Sequence, residues 1–199
     1  MKMTKKAKKN LLEYGVFAGI ILTLFLTGLH TEVFGFLQRG VLETGVMNPD
    51  VEKKAASEKP EALPKASFNM ELINSRGEKA NMEQFRGKVI FINLWATWCP
   101  PCIAEMPGIN NLYNKVQGDN VVFLMLSLDK DFNKAKRFKE KKGFDFEVYQ
   151  VSGGIPEMYY SQSIPTTFLI NAKGELALTH TGMANYDTAE FREFLESLK

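Results

Sequence analysis

Cysteine and histidine are scarce, with two of each in 199 residues. Two cysteines cannot build a multi-disulfide scaffold. A structural zinc site wants four ligands, which would require both histidines, and His30 sits beside a long apolar run. Excess charge is lacking too. The net charge is +2, and Lys2, Lys5, Lys6, Lys8 and Lys9 alone supply +5, so the remainder carries −3. A mildly acidic body gives no footprint for nucleic acid. Core material is not lacking. Hydrophobic residues make up 45% and aromatics 12%, enough for one packed domain and too much for global disorder.

Only one apolar run is long enough for a bilayer. Residues 11–29 contain a single charge, Glu13, near the lysine end. As a helix they would rise about 28 Å, close to the hydrocarbon thickness. The lysines in front predict a cytoplasmic basic tail at 1–10 and a signal-anchor helix at 11–29, with everything after it extracytoplasmic. A cleaved signal peptide fits less well, because Val33-Phe34-Gly35 is a poor small-x-small site and no cysteine follows to take a lipid. Leu29, Val33, Phe36, Leu37 and Val41 continue a helical stripe, either as an interfacial helix or as an extension of the anchor. The rest of 30–65 is charged and rich in Ala and Pro, a flexible tether.

The two cysteines stand as Trp98-Cys99-Pro100-Pro101-Cys102, after the apolar strand-like run 89–95 and at the head of a helix-like run. A two-residue gap lets the sulfurs meet across one helical turn. With Cys99 as N-cap and Pro100 as the first helical residue, the helix dipole and unpaired amides favour a thiolate on Cys99. Cys102, one turn on, is placed to attack a mixed disulfide there. A disulfide closing so small a loop would add little stability, so reversible redox chemistry is the better reading.

From 66 to 199 the pattern alternates. A strand and hairpin are expected at 68–77, a buried strand at 87–94, and a helix carrying Ile109, Leu112, Tyr113 and Val116 inward with a kink at Pro107. A second buried strand at 121–128 precedes a lysine-rich helix at 132–142 that Gly143 ends. An edge-like segment at 146–149, a hairpin formed by 164–171 and 175–180, and a final helix capped by Asp187 complete an α/β mixed sheet covered on both faces.

Residues 87–102, with Glu105-Met106-Pro107 and Ile164-Pro165-Thr166-Thr167-Phe168-Leu169-Ile170, resemble the thioredoxin superfamily, and within it the membrane-anchored TlpA/ResA-like thiol-disulfide oxidoreductases. The resemblance implies a thioredoxin-like fold with a mixed central sheet flanked by helices, Cys99 as attacking thiol, Cys102 as resolving thiol, and Pro165 as a cis-proline facing the disulfide. Ile164, Thr166, Trp98, Pro100 and Pro101 would line the substrate face. No cofactor and no metal are implied. Protein thiols and disulfides are the implied substrates, apocytochrome c among them, with a DsbD- or CcdA-like membrane electron donor. Where many thioredoxins carry a buried Asp, this chain has Asn93, which cannot take a proton. A general base is then either water or Glu105, and Glu105 is otherwise a solvated charge at a helix end.

CxxC couples span roughly −270 to −120 mV, so the motif does not set direction. The Pro-Pro insert supplies no charge and no N–H, and a nearby carboxylate opposes thiolate formation; both favour a reductase over an oxidase. A general oxidase or isomerase, and a copper chaperone using the same two thiolates, are the alternatives.

Overall fold

The structure is a computed structural model that describes residues 5–27, 29–42, 49, 63–116, 118 and 120–199. In chain order the elements are α1 (Lys5–Thr27), α2 (Leu29–Leu42), β1 (Glu71–Asn74), β2 (Lys79–Asn81), β3 (Val89–Trp95), α3 (Pro100–Val116), β4 (Val121–Ser127), α4 (Phe132–Lys142), β5 (Val148–Val151), β6 (Thr166–Ile170), β7 (Leu176–Thr181) and α5 (Ala189–Ser197). Most of the expected tether falls on residues outside the described set.

Seven strands form one sheet in the order β2-β1-β5-β4-β3-β6-β7. β3, β4 and β5 run parallel, while β6 lies antiparallel to β3, with Leu94 opposite Thr166. All seven residues of β3 are buried, as a run apolar but for Asn93 requires of a central strand covered on both faces. Its side chains alternate between two cores. Phe91 and Trp95 join Ile109, Leu112, Phe132, Phe191 and Leu195 on the face that takes α3, α4 and α5. Ile90, Ile92 and Leu94 join Phe68, Met70, Met82 and Tyr159 on the other. That second face is closed by the chain entering β1, two short 3-10 turns at Met82–Phe85 and Glu157–Tyr159, and the loop before β6. The helices of this domain therefore gather on one side. Consecutive right-handed crossovers along β3, β4 and β5 carry α3 and α4 to the same face.

Three expectations are corrected. The segment expected as an edge is interior, because β1 pairs with β5 antiparallel and extends the sheet beyond it. The cap of α5 is Thr188, whose hydroxyl accepts from Phe191 N; Asp187 instead binds Lys115 and Arg192. The expected anchor is not one continuous span. α1 ends at Thr27, and among the described residues no single helix is long and apolar enough to cross a membrane. Leu12–Thr27 and Leu29–Leu42 meet that requirement only together, bent by 96°. The Phe25 and His30 rings stack 4.5 Å apart across the turn, and His30 Nδ1 lies 3.3 Å from the Leu24 carbonyl. That contact gives a partner to one of the carbonyls a helix end leaves open.

Candidate active site

The end of β3 and the head of α3 place the cysteines. Ile103 N donates to Cys99 O at 3.1 Å, and Cys102 N lies 3.2 Å from Cys99 Sγ, so Cys99 caps α3 with Pro100 as its first residue. Because Pro100 and Pro101 have no N–H, the Cys102 amide is the first that can reach the sulfur. The two sulfurs are bonded at 2.08 Å. Cys102 is fully buried and Cys99 is 4% exposed.

β6 brings the second half. The Ile164–Pro165 bond is cis, as the resemblance implied. The Ile164 carbonyl lies 3.7 Å from Cys99 Sγ, and the Pro165 carbonyl accepts from Gly182 N at 2.9 Å. Pro165 is buried and Ile164 half-buried, while Trp98 beside Cys99 is 59% exposed. Pro100 and Pro101 are half-buried on the same rim. Thr166 is placed differently from expectation. It is buried, and its hydroxyl donates to Ser163 O at 2.8 Å and meets Ser161 Oγ at 2.9 Å. It shapes the loop before the cis-proline rather than facing a substrate.

Glu105 is not a solvated helix-end charge. It lies one turn beyond Cys102 on α3 and is 1% exposed. Its Oε1 accepts from Asn93 Nδ2 at 2.8 Å and its Oε2 from Ala184 N at 3.1 Å. Burial outweighs those two donors and raises its pKa to about 8. At neutral pH this carboxyl is mostly protonated, and it sits close to the ordinary range of a thiol.

Asn93 Nδ2 also donates to Thr167 Oγ1 at 3.0 Å, and Tyr186 OH donates to the same oxygen at 2.8 Å. Burial, then the neighbouring Glu105, holds the Tyr186 hydroxyl well above its usual range, so it stays a donor. Ala184 and Tyr186 had no signal in the sequence, and Thr167 stood in the Ile164–Ile170 motif without a role, because each reaches Glu105 or its partner only through the β3–β6–β7 pairing. A second cluster was equally silent. Asp129 accepts from Thr97 N at 3.0 Å, from Thr97 Oγ1 at 2.7 Å and from Ser127 Oγ at 2.9 Å. With Leu128 N donating to Trp95 O at 2.8 Å, it ties the loop that presents Trp98 and Cys99 to the end of β4.

The arrangement is a dithiol-disulfide couple in which Cys99 keeps a small exposed area and Cys102 none, with a backbone platform beside Cys99 and a buried acid one helical turn past Cys102. Comparison with known proteins agrees. The model of the AhpC/TSA family matches residues 62–179. The thiol-disulfide oxidoreductase ResA of Halalkalibacterium halodurans is 32% identical over 134 residues, covering 67% of this chain and 75% of that protein. The ResA of Geobacillus kaustophilus is 33% identical over 129 residues, covering 64% and 73%. Among solved structures, the pneumococcal exposed lipoprotein thioredoxin of Streptococcus pneumoniae superposes with a TM-score of 0.54 at 25% identity, over 64% of this chain and 98% of that one. A thiol:disulfide interchange protein of the thioredoxin family from Chlorobium tepidum superposes with a TM-score of 0.59 at 22% identity, over 69% and 98%, which supports the fold. The chain belongs to the AhpC/TSA family of thioredoxin-fold proteins and is a thiol-disulfide oxidoreductase.

Proposed function

We propose that this oxidoreductase is a membrane-anchored, extracytoplasmic reductase of protein disulfides. The observation that carries the reading is the pairing of a buried Glu105, one turn past Cys102, with a Cys99 whose sulfur is met by the Cys102 amide. An oxidant needs a strongly stabilised thiolate. Here two prolines withhold amides, and a carboxyl brings no positive charge.

In the proposed reaction Cys99 thiolate attacks one sulfur of a substrate disulfide held along Ile164 and Trp98. The substrate's S–S bond breaks, and its other sulfur leaves as a thiolate that takes a proton. Cys102 gives its proton to ionised Glu105 and attacks Cys99 Sγ, which releases the second substrate thiol and forms the Cys99–Cys102 disulfide. The two electrons come from the dithiol and are returned by a membrane dithiol donor of the DsbD or CcdA kind. On that return step protonated Glu105 supplies a proton to the Cys102 thiolate. Apocytochrome c haem-site cysteines are the substrate suggested by the TlpA/ResA resemblance. The copper-chaperone alternative has less support: among the described residues no three His, Cys, Asp or Glu side chains gather to share an ion.

Redox titration of the full chain against thiol buffers should place the couple near the thioredoxin end of the range, about −270 mV. A midpoint above about −180 mV would favour the oxidase or isomerase instead.

The anchored reading rests on α1, whose described side chains from Leu12 to Leu26, Leu24 excepted, stay exposed although most are apolar, and on the lysines at its start. It proposes a domain order of basic tail at 1–10, anchor at 11–29, spacer at 30–65 and redox domain at 66–199. Protease added to intact spheroplasts should degrade the redox domain. Complete protection, with the protein still in the membrane fraction, would reverse the orientation.

A further inference from the structure

Helix α2 turns its polar side inward and its apolar side outward. Glu32, Gly35, Arg39 and Leu42 recur every three to four residues along the side that meets the redox domain. Gly35 is buried, and a Cβ there would come within 3.0 Å of Ile103 Cγ2 and 3.3 Å of the Pro100 carbonyl. The backbone of α2 therefore rests on the first turn of α3, the turn that holds the sulfurs. Glu32 accepts from Lys141 at 2.9 Å and from Lys142 at 3.0 Å at the end of α4.

On the opposite side Leu29, Val33, Phe34, Leu37 and Val41 are 42–61% exposed, and no charged side chain stands among them. A helix packed on a protein and bathed in water has the reverse pattern. An apolar strip of this size marks an interaction surface. Its occupant is indicated by what precedes it: the stretch of α1 from Leu12 to Thr27 is mostly apolar, leaves Leu12, Val16, Phe17, Ile20, Leu22 and Phe25 exposed, and meets α2 at 96°. With α1 along the bilayer normal, α2 lies in the membrane plane with its apolar side down.

We infer that α2 is an interfacial helix held between the redox domain and the outer leaflet of a bilayer in which the apolar part of α1 is embedded. The inference rests on the anchored reading above and adds a distance to it. Because Gly35 seats α2 on the Pro100–Ile103 turn, the disulfide stands about one helix diameter, roughly 10 Å, above the acyl boundary. That height suits exchange with a dithiol presented by a membrane protein, and α2 acts as the spacer that sets it.

The test uses the full chain in phosphatidylcholine vesicles whose acyl chains carry bromine, a Trp quencher, either near the headgroup or near the chain end. Leu37→Trp and Leu22→Trp are each read as the difference from the parent, which shares Trp95 and Trp98. Leu37→Trp should lose about half of its added emission to shallow bromine and little to deep bromine; Leu22→Trp should respond to deep bromine. If Leu22→Trp is quenched by neither, the anchored reading itself fails. If Leu22→Trp is quenched and Leu37→Trp is not, only the interfacial placement fails. Equal deep and shallow quenching at Leu37 would make α2 part of a broken span and would also overturn the inference.

A second measurement tests the spacer. The reduced dithiol is reacted with an aromatic disulfide carried on a lipid headgroup or free in solution; in each case the probe is reduced to thiols and Cys99–Cys102 is formed. Gly35→Leu, which prevents close seating of α2, should slow the lipid-borne reaction about tenfold and leave the soluble one unchanged. Equal rates with both probes would show that α2 does not set the height.

Discussion

Cys102→Ser should accumulate a covalent adduct with substrate through Cys99, while Cys99→Ser should lose disulfide reduction by on the order of 10³ or more and trap nothing. The asymmetry follows from access. Cys99, beside Ile164 O, keeps 4% of its surface exposed, whereas Cys102 is fully buried on the inner side of α3. An incoming disulfide can be attacked in line only by Cys99. Cys102 can reach only the bond that Cys99 has already made. Mass spectrometry of the adduct from the full chain, followed by reduction, identifies the linked residue. An adduct recovered through Cys102 in Cys99→Ser would exchange the two roles.

Glu105→Gln should have two effects. The first is on stability. The unfolded chain releases this proton near pH 4.5, whereas the folded chain keeps it to about pH 8. Between those values the folded state binds more protons, so stability is full below about 4.5 and falls as pH rises through 8. At 1.36 kcal/mol per pKa unit the fall is at most about 5 kcal/mol. Glutamine has no such titration, so the variant should unfold with a flatter pH dependence from 5 to 8 and should be the more stable form at pH 8. Denaturant midpoints across that range read the difference. Asn93 Oδ1, a buried acceptor without a hydrogen-bond partner, gives the new amide a partner if the Asn93 side chain turns over.

The second effect is on rate. A carboxyl with a pKa near that of a thiol exchanges a proton with Cys102 at little cost, and its loss should slow resolution about a hundredfold near neutral pH. Cys99 would still form mixed disulfides. An unchanged rate together with an unchanged pH profile would reduce Glu105 to packing.

Much of this was legible in the chain. The strand ahead of the cysteines reads as buried because six of the seven residues from Val89 to Trp95, all but Asn93, suit an environment with no water on either side. Gly143 ends α4 as local rules require, with its left-handed backbone at the C-cap. Local rules failed where partners come from afar. Asp187 looked like a cap, but Lys115 and Arg192 compete for its carboxylate and Thr188 takes the cap. The burial of Glu105 depends on Ala184 and Asn93, which lie 79 and 12 residues away along the chain. The docking of α2 depends on Gly35 meeting Ile103, and no periodicity within α2 names that partner.

The register that sets Leu94 opposite Thr166 also divides the site in time. The strand and helix that carry the cysteines are complete in the chain once β4 has been made, near residue 127, whereas the platform beside them needs β6 and its partner β7, which ends at Thr181. At 5–20 residues per second a nascent chain spends roughly 3–11 s between those points. During that interval the sulfurs lack both the cis-proline wall and the Ala184 amide that bonds Glu105. Their only possible partners within the chain are each other, so a lone CxxC pair leaves no wrong internal disulfide to form. Scarcity of cysteine, which first narrowed the chemistry of this chain, therefore also protects its biogenesis.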